Sequence, residues 1–448
     1  MFEYRLPAAL LLAALLAFHG SCVSGAEPEP GPPRQAMLNV KDFGAVGDGQ
    51  ADDTEALQKA FDAAAYTKEG MKDSMALARG MVYLPPGHYR VTRTLKLQRH
   101  HWNLVVWGSG GANKFGGKVG QPRVPRAVTQ LVWDGDEGGT LLDGDFVQGV
   151  ELHNLGLIGK EKAGILLRLN RTGRWRLDRV VLADAKMGVE VGEGHPSNGD
   201  TSTFLDVWFE NLDTGYKQVS VQNLDMLFIA CHGGGCRQVW HFAGGGCTEG
   251  ISCFAIDCEE VIRIDQGGIN AGTFTFSNLR VDVNLNWPRV EGKDMSDKRT
   301  VILRARGETV VKLTGLDVAA PNVIRGGDDR TPAIFVGDGA NVTVESSILT
   351  GRVAKLEGKE GGAPGWLQLN NCRFRGFADP RQIECDAHCG YEVRNAIVAL
   401  DGMVDGKYVQ HGAKLLPHHA VYPSAPDRLL APPPGNPQPA APAPEAGR

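Results

Sequence analysis

The chain has 448 residues, a formal net charge of −5 at pH 7, 58 glycines and 7 % aromatic residues. A weakly acidic balance supplies no basic field for nucleic acid, and a glycine-rich, aromatic-poor composition suits a long, turn-rich β-fold better than a helical bundle. Beyond the N-terminal apolar run, no segment is apolar enough to cross a bilayer.

That N-terminal run is LPAALLLAALLAF (6–18), which follows Arg5 and precedes the small-residue stretch Ser24-Gly25-Ala26. It is too short to span a membrane and has the layout of a cleaved export signal. The expected organisation is a signal peptide over 1–26, a linker over 27–36, and a secreted or periplasmic product. The less favoured alternative is a lipoprotein anchored at Cys22, because His19-Gly20-Ser21 makes a poor lipobox.

Next comes NVKDFGAVGDGQADDTEALQKAFDAA (39–64). It reads as a strand, a glycine-rich turn and a helix. Asp52 and Glu55 have capping-box spacing. Ala56, Leu57, Ala60, Phe61 and Ala64 share one helical face, which predicts a helix that plugs an exposed core end. Asp42, Asp48, Asp52 and Asp53 are read as cap and turn residues. MVYLPPGHYRVTRTLKL (81–97) then reads as a strand, a Pro-Gly turn and further strand, with Tyr89-Val91 and Leu95-Leu97 alternating.

These two segments resemble the N-terminal signature of the pectate-lyase-like superfamily, in its rhamnogalacturonase- and polygalacturonase-related branch. The resemblance implies an all-β fold, a right-handed parallel β-helix with an N-terminal capping helix, over residues 37–410. It implies a polysaccharide partner, and leaves the chemistry open, because the superfamily includes hydrolases, lyases, epimerases and phage tailspikes. The polygalacturonase residues do not carry over. Cys231-His232-Gly233 stands where Gly-His-Gly is needed, Asp328-Asp329 follows His232 instead of preceding it, and Arg263-Ile264-Asp265 is the nearest approach to Arg-Ile-Lys.

The middle of the chain repeats the pattern Asn, apolar, any, apolar, starting at Asn103, Asn154, Asn223, Asn278, Asn341 and Asn371. Asparagine tolerates the left-handed backbone of a sharp bend, and the apolar pair that follows points inward. The intervals fit coils of roughly 23–26 residues with insertions, an imperfect solenoid repeat. The proline-rich stretch 411–448 is expected to be a disordered tail. Nine cysteines are present. Cys385 and Cys389 flank His388 but lack the second ligand pair of a zinc site, so no metal site is assigned and disulfides or free thiols are expected.

In a solenoid, equivalent positions of neighbouring coils stack about 4.8 Å apart, so chemistry is sought among outward polar residues that stack. Aligning Ile256-Asp257-Cys258-Glu259 with Leu279-Arg280-Val281-Asp282 puts Asp257, Glu259, Arg280 and Asp282 outward. An offset of 27 brings His232 onto Glu259. An offset of 22 instead pairs Cys231 with Cys253 and Cys236 with Cys258, and the sequence does not choose between them. Asp257, Glu259, Asp282 and His232 are the catalytic candidates. Two carboxylates on one strand face suit an inverting hydrolase. The same carboxylates with Arg280 also suit a lyase assisted by Ca²⁺, and no other cofactor is expected. Arg280, Arg304, Arg306 and Trp287 are the substrate-binding candidates: the arginines for an acidic sugar, Trp287 for stacking on a ring. The reading is a hydrolase or lyase, with a non-catalytic carbohydrate-binding or adhesive β-helix as the alternative.

Overall fold

A computed structural model of the chain describes residues 36–422, except 66–79, 111–126, 193–198, 221–222, 266–271, 283–299, 320–331, 376–382, 405–406 and 417. The signal, lipobox and Trp287 readings lie outside the described residues.

The described residues form the expected right-handed parallel β-helix. One turn shows the construction. Gly272–Ser277 lies in a first sheet, Arg280–Asp282 in a second and Val301–Arg306 in a third. Thr309–Thr314 then returns to the first sheet, with Thr309 opposite Gly272 and Thr314 opposite Ser277. The same succession stacks coil on coil, so every backbone pairing between coils is parallel until the last turn. Alternation does the rest: Phe274 and Phe276 are buried while Thr273 is exposed, as a pleated strand requires.

The bend between the first and second sheets is a single residue with left-handed backbone. Asn154, Asp206, Ala230, Ser252, Asn278, Ser346 and Asn371 occupy it, each with φ between 49° and 55°. The next residue turns inward and is buried: Leu155, Val207, Cys231, Cys253, Leu279, Ser347 and Cys372. Three of the six asparagines picked from the repeat sit at this corner, and Asn103 (φ 59°) makes a bend leading into the first sheet. The other two do not follow the rule. Asn223 is buried and bonded to Ser220, and Asp225 takes the left-handed bend in its place. Asn341 lies within the strand Ala340–Glu345.

Inside, aromatic rings stack along the coils. Phe204 lies 4.7 Å from Phe228 in a parallel stack, and Phe242 packs on Phe274 at 4.8 Å. The helix Thr54–Ala64 closes the N-terminal end, burying the five residues anticipated for it. Its start differs from a capping box. Glu55 pairs outward with Lys59 at 2.7 Å, and Asp52 accepts from the Thr54 amide. Asp53, 1 % exposed, accepts instead from the amides of Val46 and Gly47 and so pins the glycine-rich turn to the helix.

At the other end, the domain boundary expected at 410 falls inside a strand, Lys407–Leu415. That strand and His419–Val421 run antiparallel to the last coil, pairing with Ile397–Val404 and Gly390–Arg394. They satisfy backbone groups that a solenoid end would otherwise leave open.

Each end of the solenoid carries its own expected outcome. Phe61→Ala lowers stability by about 3–5 kcal/mol, the cost of emptying a fully buried phenylalanine site, measured by denaturant unfolding. A chain ended at residue 410 melts well below one ended at residue 422, because it loses the antiparallel cover; differential scanning calorimetry of the two compares them directly.

Candidate functional site

The sites anticipated from sequence fall on two sheets and the corner between them. Asp257 is not on a strand face. It is itself a left-handed corner (φ 55°) between the second and third sheets, and Cys258 beyond it turns inward. Asp257 and Glu259 therefore do not form a pair two apart on one face. The coil step is also longer than supposed: Ile256 lies opposite Asp282, and Phe254 opposite Arg280. Asp257, Glu259 and Asp282 do not gather closely enough to share an ion. Arg280 and Asp282 do leave the second sheet on its outer face, bonded to each other at 3.1 Å.

His232 is on that same face, stacked on Trp208 at 4.1 Å and met edge-on by Phe254. Its partner on the next coil is Phe254, not Glu259, because the register is 22 residues: His232 opposite Phe254. Burial pulls the imidazole below its ordinary pKa, opposed by Asp206 at 4.0 Å. Two of the three glycines of CHGGGC (231–236) have structural causes. A side chain at Gly233 would strike Val239, and Gly235 takes the left-handed corner with φ 61°.

The third sheet brings a set of charged groups together. Gln238–Phe242, Glu260–Asp265 and Val301–Arg306 stack in register, with His241 opposite Arg263 and Arg263 opposite Arg304. Glu260 receives Gln238 Nε2 at 2.5 Å on one oxygen and Arg304 Nε at 2.8 Å on the other. Asp265 takes Arg263 and His241 Nε2, the latter at 3.3 Å. The His241 hydrogen bond, followed by Arg263, holds the Asp265 carboxyl down at about 2. Arg304 also lies over the Phe335 ring, 4.2 Å from its centroid. Arg306 is exposed, opposite Asp265. Arg304 and Arg306 thus share an outer face as expected, but on the third sheet, away from Arg280.

Sequence reasoning missed Gln238, His241, Glu260, Arg263 and Asp265. The 22-residue cysteine offset carried the signal, since it also aligns Gln238 with Glu260 and His241 with Arg263. The following step, from Arg263 to Arg304, is lengthened by the insertion 283–299, which hides it from any repeat search.

A second outward cluster sits on the first sheet. His153, buried beneath Trp107 at 4.4 Å, has Glu151 at 2.8 Å on Nε2 and Asp178 at 3.5 Å on Nδ1. Arg176 and Arg179 each approach Asp178 to 3.6 Å. Nδ1 of His153 is buried and makes no hydrogen bond.

Asp62, His100 and His101, beside the capping helix, lie near enough to share a metal ion. The hydrogen bonds argue against it. His101 Nδ1 accepts from the Gln98 amide at 3.0 Å, which leaves the proton on Nε2, directed at Asp62 Oδ1 3.1 Å away. A metal would need that nitrogen bare. Burial pushes this imidazole down to about 4, against about 6.5 when unfolded. The folded state therefore resists a proton that the unfolded chain accepts. Stability is full above pH 6.5 and falls as pH drops toward 4, by up to about 3 kcal/mol. His101→Gln flattens that slope, as melting temperatures read between pH 7 and pH 4 would report.

Residues 37–114 match the model of the rhamnogalacturonase A/epimerase, pectate lyase-like family. Over short stretches the chain is similar to curated proteins. It is 49 % identical over 59 residues to mannuronan C5-epimerase AlgE1 of Azotobacter vinelandii, which is 13 % of this chain and 4 % of that protein. It is 46 % identical over 63 residues to plasmin and fibronectin-binding protein A of Streptococcus pneumoniae, 14 % of this chain and 8 % of that protein. The matches thus span under a tenth of those relatives' lengths. Among solved structures, the gp42 tailspike of Acinetobacter phage vb_AbaP_AS12 superposes with a TM-score of 0.47 at 12 % identity, covering 84 % of this chain and 64 % of that one.

Proposed function

Starting from a parallel β-helix whose residues 37–114 match the rhamnogalacturonase A/epimerase, pectate lyase-like family model, we propose that it modifies an acidic polysaccharide on the outer face of the third sheet, by abstracting a proton next to a uronate carboxylate. The observation that carries this reading is the ladder of His241, Arg263 and Arg304, with Asp265 and Glu260 orienting them. Elimination from a uronate needs two things. A base must take the proton on the carbon bearing the carboxylate, and a cation must neutralise that carboxylate so that the charge developing on it is stabilised. His241, oriented through Nε2 by Asp265, keeps Nδ1 for the base role. Arg263, Arg304 and Arg306 offer guanidinium forks to the carboxylate. The proton leaves with the base, the C–H electrons form the new double bond, and the glycosidic oxygen departs from the adjacent carbon with its bonding electrons and takes a proton from water.

Hydrolysis by two carboxylates is less well supported. It requires one of them to be held protonated. Asp265 is drawn the other way, and both oxygens of Glu260 are held by donors. The adhesive alternative draws on a different observation. Leu205, Ile229 and Ile251 on the first sheet, with Trp208 and Phe254 on the second, form a half-buried apolar strip around one corner.

A screen against acidic and neutral polysaccharides, reading reducing ends and absorbance at 235 nm together, separates the three readings. Elimination raises both signals. Hydrolysis raises only reducing ends, and a binding protein raises neither while still retaining polymer. On the elimination reading, His241→Gln lowers turnover by at least about 100-fold, the usual worth of a general base. Arg304→Lys mainly weakens substrate binding, by losing the fork geometry.

A further inference from the structure

The stacking register resolves a choice that the sequence left open. Ile229 lies opposite Ile251 and His232 opposite Phe254, which sets Cys231 on Cys253. Gly234 lies opposite Ile256 and Gln238 opposite Glu260, which sets Cys236 on Cys258. The two coils therefore carry the same motif in phase: Cys-x4-Cys as CHGGGC (231–236) and again as CFAIDC (253–258). In each coil the first cysteine follows the left-handed corner into the second sheet, Ala230 or Ser252, and the second follows the corner out of it, Gly235 or Asp257. All four side chains point into the core and are at most 3 % exposed.

We propose that these residues form two disulfides between neighbouring coils, Cys231–Cys253 and Cys236–Cys258, when the chain folds in the presence of a disulfide oxidant. Four arguments support the pairing. Residues directly opposite in stacked parallel strands lie about 4.8 Å apart, inside the Cα separation of about 4.4–6.8 Å that a disulfide spans. The Cys231 and Cys253 thiols lie close enough to interact across the two coils. Bridges within one motif, Cys231 to Cys236 or Cys253 to Cys258, would have to cross the length of a second-sheet strand between two corners, beyond that reach. A single four-cysteine metal site is excluded by the same distance, since the strand holds the two pairs apart.

The chemistry is ordinary thiol–disulfide exchange. One thiolate attacks a small-molecule or protein disulfide and forms a mixed disulfide, releasing one thiol of the oxidant. The facing thiolate then attacks the bound sulfur, forms the intercoil bond and releases the second thiol. Each bridge thus consumes one oxidant disulfide and gives two thiols, and the two protein protons are taken up by the departing thiolates or the buffer. Because the sulfurs are sealed in the closed coil, the exchange happens before these coils finish packing. The folded dithiol form is inert, and the folded disulfide form resists reductant until it unfolds.

The consequence is a covalent register lock. Rungs at both ends of the second-sheet strand hold His232 over Phe254 and fix the entry of Glu260 into the third sheet. A slip of one residue between these coils would turn the ladder of His241 and Arg263 inward.

The test is peptide mapping of the full-length protein refolded with a glutathione redox pair, alkylated under denaturing conditions without reductant. Protein exported into an oxidising periplasm serves if refolding in vitro fails. The expected result is protection of all four cysteines, linked peptides joining 231 to 253 and 236 to 258, and a higher melting temperature for the oxidised than for the reduced form. Full alkylation of the four, or linkage in any other pairing, overturns the proposal.

Discussion

A single backbone state, repeated at the same place in successive coils, organises this molecule. The left-handed residue at the bend between the first and second sheets turns the chain sharply without using a loop. It also sets the phase of the second-sheet strand. The residue after the bend must point inward, and the one after that outward, on each coil that carries it. The backbone N–H of each corner bonds to the coil above: Ala230 to Ile251 O, Ser252 to Ser277 O, Asn278 to Thr314 O. The bend is therefore held from outside the coil that makes it. Residues as different as Asp206, Ala230 and Ser252 accept a conformation that costs an isolated L-residue roughly 1–2 kcal/mol.

That constraint explains what could and could not be read from the sequence. The N-terminal end was legible because local rules govern it: helical periodicity in 54–64 and the Pro-Gly turn at 86–87. The asparagine corners at Asn154, Asn278 and Asn371 were legible. The pattern was misleading at Asn223, where a buried side-chain bond to Ser220 took over, and at Asn341, where the strand simply continues. Asp257 was misplaced for the converse reason. A corner occupied by aspartate looks, in one dimension, like an outward strand position next to Glu259. One misplaced corner shifts every partner after it, so Arg280 and Asp282 were matched to the wrong rungs. The outward alternation of Arg304 and Arg306 survived, since alternation within a strand does not depend on register.

Tight corners and open connections also divide the labour around the proposed site. Between the second and third sheets the chain bends on one residue at Asp184, Asn211, Gly235 and Asp257, and the Asn211 side chain bonds to Asp184 across coils at 3.0 Å. From the next coil onward, the same connection carries the insertions 283–299 and 320–331. The ladder of His241, Arg263 and Arg304 crosses that change. Its first members follow tight bends and are placed by the solenoid, while Arg304 follows the first insertion and regains the common register by pairing with Arg263.

This arrangement bears on how such a protein diversifies. A solenoid's stability is close to a sum over nearest-neighbour coils, and the free-energy penalty of lengthening a surface connection grows only with the logarithm of its length. An insertion at the second-to-third connection therefore perturbs one local contribution and leaves the rungs on either side intact, as the Arg263–Arg304 step shows. Peptide segments can be exchanged at that seam while the stacked strands on either side are inherited unchanged. Ligand preference and thermal endurance then become traits that drift independently within one lineage.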